Sequence, residues 1–393
     1  MPDVLLLTTL LAAIAIGWWL GRRERRKPID PAPPQGLARD YFVGLNYLLN
    51  DQQDRAIETF VGALEVNSET IDTHITLGNL FRSRGEADRA MKIHQNLLAR
   101  PSLTGAQSER VQLELARDFL SLGLLDRAER LLKGLLRDSQ NAELTRSARR
   151  LLADLFERQG EWSEAFAVVT PQLLREDQEL RRSAAHWLCQ QAEEERGNAS
   201  PVLARRHLKQ ALSIDPQCIR ANLQLAALEH DTGHYRQEIT LLSRIPEQDP
   251  AFTPSLLTPL ANAYRLLDDE DGLIEHLQRL LEKTPYTSVI ILLAETVRHR
   301  RGIEAAIDLV SLQLNRETSL GALDYLIDLY RQHGRGTALE QLALLQQHTT
   351  TLLAKLPRHR CRRCGFSGDQ LHWQCPRCRH WGTIRPITGI EGE

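Results

Sequence analysis

A chain of 393 residues with 42% apolar side chains has room for more than one folded unit and enough apolar surface for a sizeable core. Its formal net charge of −2 gives no global electrostatic reason to bind nucleic acid, and six cysteines at this length are too few for a disulfide scaffold. Aromatic residues make up only 5%, while Leu, Ala, Arg, Glu and Gln abound, which is a helix-forming composition.

The chain opens on an apolar run. Val4 to Leu20, VLLLTTLLAAIAIGWWL, contains no charge, and as a helix its seventeen residues span about 26 Å, near the lower limit for crossing a bilayer core. Trp18 and Trp19 stand at its end, where indole rings favour the membrane interface. Arg22, Arg23, Arg25, Arg26 and Lys27 follow at once, and the positive-inside rule keeps such charges in the cytoplasm. A cleaved secretory signal carries its positive charge ahead of the apolar run, and here only Asp3 and the start amine precede it. The pattern predicts a single-pass transmembrane anchor over 1–20, with the bulk of the chain on the cytoplasmic side. Residues 21–36 read as a basic flank and a linker stiffened by Pro28, Pro31, Pro33 and Pro34.

From 37 to 356 the chain repeats. Gly44 and Gly78 are 34 residues apart, as are Ala56 and Ala90, which is the period of tetratricopeptide helix pairs. Gly44, Tyr47, Ala56, Phe60 and Ala63 mark a first repeat, and Gly78, Phe81, Gly85 and Ala90 a second. Ala116, Phe119, Gly123 and Ala128 mark a third, and Ala153, Phe156, Gly160 and Ala165 a fourth. Looser matches follow at Ala192, Ala204, Ala211 and Pro216, at Ala226, Gly233 and Pro250, at Ala261, Tyr264 and Pro285, and at Ala294, Gly302 and Ala306. Asp324 to Tyr330 and Ala338 to Leu356 read as closing helices. Small residues let paired helices approach, aromatics fill the gap beside them, and turn glycines permit the reversal. The expected architecture is all-α, a superhelix of about eight or nine helix pairs whose concave face binds other proteins.

Other chemical signals along the array are weak. Asp268-Asp269-Glu270-Asp271-Gly272 lacks the ligand spacing of an EF-hand calcium loop and reads as a solvated turn. His186 and His299 lack partners for a catalytic set, and no HExxH, GxSxG or phosphate-binding glycine loop occurs. No catalytic or organic-cofactor residue is nominated, and the chain is expected not to be an enzyme. Cys189 and Cys218 fall in helical patterns and read as small buried apolar side chains.

The strongest signal is Cys361-x-x-Cys364 followed, after ten residues, by Cys375-x-x-Cys378. Each pair offers two thiolates from one turn, and two turns close a four-sulfur shell. Gly365 follows the first pair, where a chelating turn often needs positive φ, and Pro376 stiffens the second. Thiolates in tetrahedral geometry suit iron or zinc, so 357–393 reads as a small module that holds one such ion. Arg362, Arg363, Arg377 and Arg379 are placed to offset the negative charge of the shell. A nucleic-acid-binding ribbon would use the same arginines, but the near-neutral charge and the anchor speak against it. An electron carrier would need iron and a partner reductase. Phe366, Trp373 and Trp381 are too many large rings for so small a unit to bury, so some are expected to pack on the last repeats as a docked cap.

Anchor, basic flank, proline spacer, helical array and four-cysteine ending, in this order, resemble the lipopolysaccharide assembly protein B (LapB) family of Gram-negative bacteria, whose C-terminal module is rubredoxin-like. The most specific stretches are LARDYFVGLNYLLNDQQDRAIETF and the CRRCGF…WQCPRC ending, and the resemblance covers essentially the whole chain. Cys361, Cys364, Cys375 and Cys378 match the family's metal residues one for one. Compared with true rubredoxins, Arg379 stands where glycine usually follows the second pair, and the insertion between pairs is much shorter; both argue against electron transfer. The resemblance implies an adaptor at the cell inner membrane that helps the membrane protease FtsH degrade the deacetylase LpxC, restrained by an inner-membrane protein that senses lipopolysaccharide. Its alternatives are a scaffold for lipopolysaccharide assembly enzymes and a thiolate-iron redox protein. Homo-oligomerisation is compatible with either scaffold reading.

Overall fold

The computed structural model describes residues 71–388 except 102, 199, 317–318, 334–337 and 355, with isolated positions between 15 and 59; the side chains of 338–341 are also outside it. The apolar run Val4–Leu20, the basic flank, the proline spacer and the first repeat lie outside the described residues but for those isolated positions. Among the described residues no helix is long and apolar enough to cross a membrane. The chain forms two compact units that divide between Ala128 and Glu129.

In the first unit α1 (Ile71–Ser83), α2 (Ala87–Leu98) and α3 (Gly105–Ser121) pack consecutively, and α4 (Leu125–Asp138) spans the division. Thr104 starts α3 with a reciprocal cap. Its hydroxyl accepts from Gln107 N–H at 3.3 Å, and Gln107 Oε1 accepts from Thr104 N–H at 3.0 Å. The turn residues Gly85 and Gly123 hold φ of 85° and 73°, in the left-handed region that side chains disfavour. Ala90 and Ala116 are wholly buried, as the repeat pattern requires.

A polar cluster ties the three helices together. Asp118 and His94 are fully buried, with Oδ2 2.5 Å from Nδ1. The other Asp118 oxygen accepts from Arg82 at 2.7 Å, and Arg82 also reaches Glu114 at 2.6 Å. Gly78 packs directly on the His94 ring: a Cβ there would lie 2.5 Å from Nε2. The ring is fixed by Asp118 and has nowhere to move.

The second unit continues with α5 (Ala142–Gln159), α6 (Trp162–Ala167), α7 (Pro171–Glu176), α8 (Gln178–Gly197), α9 (Pro201–Ile214), α10 (Ile219–Asp231), α11 (Tyr235–Leu242) and α12 (Ile245–Gln248). A 3-10 turn (Pro250–Phe252) leads into α13 (Thr253–Leu266), α14 (Glu270–Lys283), α15 (Thr287–Arg301), α16 (Ile303–Leu314), α17 (Leu320–His333) and α18 (Ala338–Leu353). Sequential helices pack, and alternate ones also touch, as α8 does with α10 and α13 with α15. This is the stacking of helix pairs in a solenoid. Two helices are broken at prolines: α6 gives way to α7 at Pro171, and α11 to α12 and the 3-10 turn at Pro246 and Pro250. The first break inserts α7, which explains the wide step from Ala165 to Ala204. The acidic run 268–272 is a helix start, with Asp269 Oδ1 accepting from Gly272 N–H at 2.9 Å.

After α18 the chain makes β1 (His359–Cys361), β2 (Ser367–Gly368) and β3 (Ile384–Pro386), an antiparallel sheet in the order β2-β1-β3. Arg360 lies opposite Ser367, and Cys361 opposite Ile384. The mostly helical, paired-helix fold with a small cysteine ribbon agrees with the architecture read from the sequence.

The Asp118 cluster sets a prediction for the first unit. Gly78→Ala forces a methyl against a fixed ring and is expected to cost about 1–3 kcal/mol. Asp118→Ala leaves the buried His94 without its carboxylate and takes one acceptor from Arg82, which keeps Glu114, and is expected to cost about 3–5 kcal/mol. Amide hydrogen exchange in α1–α3 reads both; unchanged protection in Asp118→Ala would mean the cluster does not hold these helices.

Candidate metal centre

Two equivalent turns build the site. Gly365 N–H donates to Cys361 O at 3.0 Å, and Arg379 N–H donates to Cys375 O at 2.8 Å. The N–H of each leading cysteine is also engaged, Cys361 with Phe366 O at 2.7 Å and Cys375 with His380 O at 3.0 Å. The residue after each pair is left-handed, with φ of 74° at Gly365 and 59° at Arg379. Glycine takes this conformation freely; an arginine holds it under strain.

The turns bring the four nominated cysteines together, with all Sγ atoms within 4.8 Å of one another. Cys361 Sγ lies 3.8 Å from Cys378 Sγ, and Cys364 Sγ 3.6 Å from Cys375 Sγ. An ion with metal–sulfur bonds of ~2.3 Å in tetrahedral geometry sets its sulfurs ~3.8 Å apart, so the cage has the dimensions for zinc or iron. Backbone N–H groups of Arg363 and Cys364 serve Cys361 Sγ, and those of Arg377 and Cys378 serve Cys375 Sγ. Burial works against both thiolates. At Cys361 it is outweighed by the Thr383 hydroxyl, 3.3 Å away, and by the N–H groups, and the pKa falls to about 6. At Cys375 burial wins and pushes the thiol up to about 12. A cation entering the cage therefore has to displace protons.

The module sits on a prepared seat in the second unit. Glu157, at the end of α5, accepts from Trp187 Nε1 at 2.7 Å and from Trp381 Nε1 at 2.8 Å through one oxygen. Its other oxygen accepts from Gln374 Nε2 at 2.7 Å, with Arg379 at 4.0 Å. Burial raises the Glu157 pKa above the ordinary carboxylate value, and the two indole N–H groups work against that rise. The Trp381 ring stacks on His186 at 4.9 Å and meets Trp162 edge-on at 6.1 Å. Trp373 stacks on Phe252 at 5.7 Å, and Leu371 and Trp373 pack against the apolar core of α10–α15. Arg363 pairs with Glu179 and Arg385 with Asp249. Gly382 lets the backbone close on the seat: a Cβ there would lie 3.3 Å from both Arg182 and His186.

Residues 359–386 match the family model described as the rubredoxin metal binding domain. Over 389 residues the chain is 32% identical to lipopolysaccharide assembly protein B of Escherichia coli (strain K12), covering 99% of each. Over 400 residues it is 34% identical to the protein of the same name from Haemophilus influenzae, covering 98% of this chain and 99% of that one. The chain belongs to the lipopolysaccharide assembly protein B family. Among solved structures it is similar to a tetratricopeptide repeat protein from Parabacteroides merdae, at 15% identity and a TM-score of 0.35, over 72% of this chain and all of that one.

In this member of the family the docked cap expected from the three rings exists, and it reaches well beyond the last repeats. Trp373 and Trp381 reach residues of α5, α6, α8 and the 3-10 turn, in the middle of the array. That is where Glu157 can accept more than the one hydrogen bond Trp187 gives it, and where His186 and Phe252 offer rings for stacking. Arg363 and Arg379, read as charge partners of the sulfur shell, reach carboxylates of the array. Arg377 donates to Cys364 O at 3.4 Å. Glu157, Trp187 and Phe252 went unnoticed in the sequence, and His186 was read only as lacking catalytic partners. Nothing in the repeat spacing marks them. Cys189 and Cys218 are buried, with sulfurs 3.9 Å apart, away from the cage.

Two outcomes test the site. Cys375→Ser is expected to abolish stoichiometric metal content, and acidification of the parent chain to release the ion as thiols regain protons; elemental analysis and the visible spectrum read both and distinguish iron from zinc. Glu157→Ala leaves two indole N–H groups and an amide without an acceptor and is expected to weaken docking by about 2–4 kcal/mol, with Glu157→Gln milder. Hydrogen exchange across 371–386 measures it, and unaltered protection in Glu157→Ala would remove Glu157 from the seat.

Proposed function

We propose that this chain is a non-enzymatic adaptor tethered to the cytoplasmic face of the inner membrane. In this reading residues 1–20 anchor it, 21–36 space it from the lipid, 37–356 form the binding array and 357–393 the metal module. Cys361, Cys364, Cys375 and Cys378 hold one zinc or iron ion, whose bonds supply much of the module's folding energy. The adaptor brings the deacetylase LpxC to the membrane protease FtsH, and an inner-membrane lipopolysaccharide-sensing protein restrains it. Similarity over the full length to lipopolysaccharide assembly protein B carries the proposal. The docked module supports it, because a stacked-helix surface with a fixed cap is suited to gripping polypeptide. Tethering beside a membrane protease raises the effective concentration of a captured substrate.

A second reading, a scaffold that gathers lipopolysaccharide assembly enzymes, is favoured by the name of the relatives. Depletion separates the two. The adaptor reading expects LpxC half-life to lengthen several-fold on depletion, and to stay long when Cys375→Ser replaces the parent chain. An unchanged half-life, with assembly enzymes dispersed from the membrane, would leave the scaffold reading in its place.

A further inference from the structure

Two thiols outside the cage lie side by side in the second unit. Cys189, on α8, and Cys218, the residue immediately before α10, are 29 residues apart in the chain, with sulfurs 3.9 Å apart. That is contact distance for two sulfurs, and a disulfide brings them to ~2.05 Å. Cys189 is wholly buried in the apolar core that α8, α9 and α10 share. Cys218 lines a cavity of about 460 Å³ whose wall includes Trp373 and Gly382 of the metal module. Its place at a helix N-terminus, where the first N–H groups have no partner within the helix, favours a thiolate. The Cys189 thiol lowers the Cys218 pKa, burial opposes this, and the Ala221 N–H adds to the lowering. Burial holds the Cys189 thiol well above its ordinary value. One sulfur is suited to attack, and the other stands beside it as a thiol.

We propose that Cys189 and Cys218 are a reversible oxidation site that a hydroperoxide converts to a disulfide, stapling α8 to the start of α10. The Cys218 thiolate attacks hydrogen peroxide, the O–O bond breaks, and Cys218 becomes a sulfenic acid while the departing hydroxide takes up the proton that Cys218 had released. The Cys189 sulfur then attacks the Cys218 sulfur; the S–O bond breaks, and the hydroxyl leaves as water with the Cys189 proton. Two thiols and one peroxide give one disulfide and two waters. Because α8 also carries His186 and Trp187, which hold Trp381 and Glu157, the staple stiffens the seat of the module. The site is independent of whether the chain works as an adaptor.

The full-length, metal-loaded chain in neutral detergent is treated with graded hydrogen peroxide, quenched with catalase, denatured in iodoacetamide and digested without reductant. Mass spectrometry is expected to find a peptide pair joined through Cys189 and Cys218, lighter than the two free peptides by two hydrogens, at doses that leave the metal content unchanged. Dithiothreitol should separate it. Amide exchange in α8 and at the start of α10 should slow by about 10-fold or more on oxidation and recover on reduction. Cys189→Ala strands the intermediate, so dimedone should label Cys218 there, whereas Cys218→Ala should leave Cys189 unlabelled at the same dose. Metal content and near-ultraviolet dichroism equal to those of the parent chain establish that the variants fold, and the joined peptide of the parent chain needs no variant. Absence of that peptide until metal is lost, or Cys218 joined to a cage cysteine while Cys189 stays free, overturns the proposal. Dimedone labelling of Cys189 in Cys218→Ala, equal to that of Cys218 in Cys189→Ala, overturns the assignment of Cys218 as the attacking sulfur.

Discussion

A carboxylate largely covered between array and module must be given hydrogen-bond donors, and Glu157 draws its own from two places. Trp187 supplies one from within the array, while Trp381 and Gln374 supply two from the module. Taken away from the module, Glu157 would keep Trp187 as a donor and lose the two that the module supplies. Taken away from the array, the module would expose Trp373 and Trp381, rings that a ribbon of this size has no core to cover. Each part completes what the other lacks, so the seat is a shared structural element. The stacking of Trp381 on His186 and of Trp373 on Phe252 adds the apolar share.

The same short stretch serves the ion. Gln374 and Trp381, which reach Glu157, bracket Cys375 and Cys378, which close the cage. Gln374 and Trp381 also bridge to each other across the second turn. Whatever holds the sulfurs in place holds the indole and the amide in place. A cation that binds the folded cage and not the unfolded chain stabilises the docked form by mass action. Proton, metal and docking equilibria are therefore linked through one turn, with the buried Cys375 thiol as the group that most resists ionisation before the metal arrives.

What was legible in the sequence was local. The ligand spacing of Cys361, Cys364, Cys375 and Cys378 encodes its own geometry, because each turn is four residues long and closes on itself. The helix pairs were legible for a related reason: Ala90, Ala116, Ala153 and Ala294 recur where backbones touch, and all are wholly buried. The broken helices carry a written cause in Pro171, Pro246 and Pro250. The seat was not legible. Glu157 and Trp381 are 224 residues apart, and no periodicity relates them. A glutamate on a helix surface looks solvated until the opposing ring is known, and His186 looked idle because its partners lie in another part of the chain. Proximity in sequence suggested the last repeats as the docking partner; the chemistry of the surface chose the middle ones as well.

That choice has a mechanical consequence. In a solenoid each helix pair touches only its neighbours, so the stack can open locally at any joint. The module supplies contacts of another kind. It follows α18 in the chain yet grips α5, α6 and α8, and so ties the last helices back to the beginning of the second unit. Opening a joint between α8 and α18 then works against the clasp as well as against the local helix interface. A surface whose curvature is held in this way gives up less conformational freedom when a partner docks, and a larger share of the contact energy remains as affinity. Strain at Arg379 fits the same account: a left-handed arginine is unfavourable within the ribbon alone, and its guanidinium lies within 4.0 Å of the carboxylate on which the seat is built.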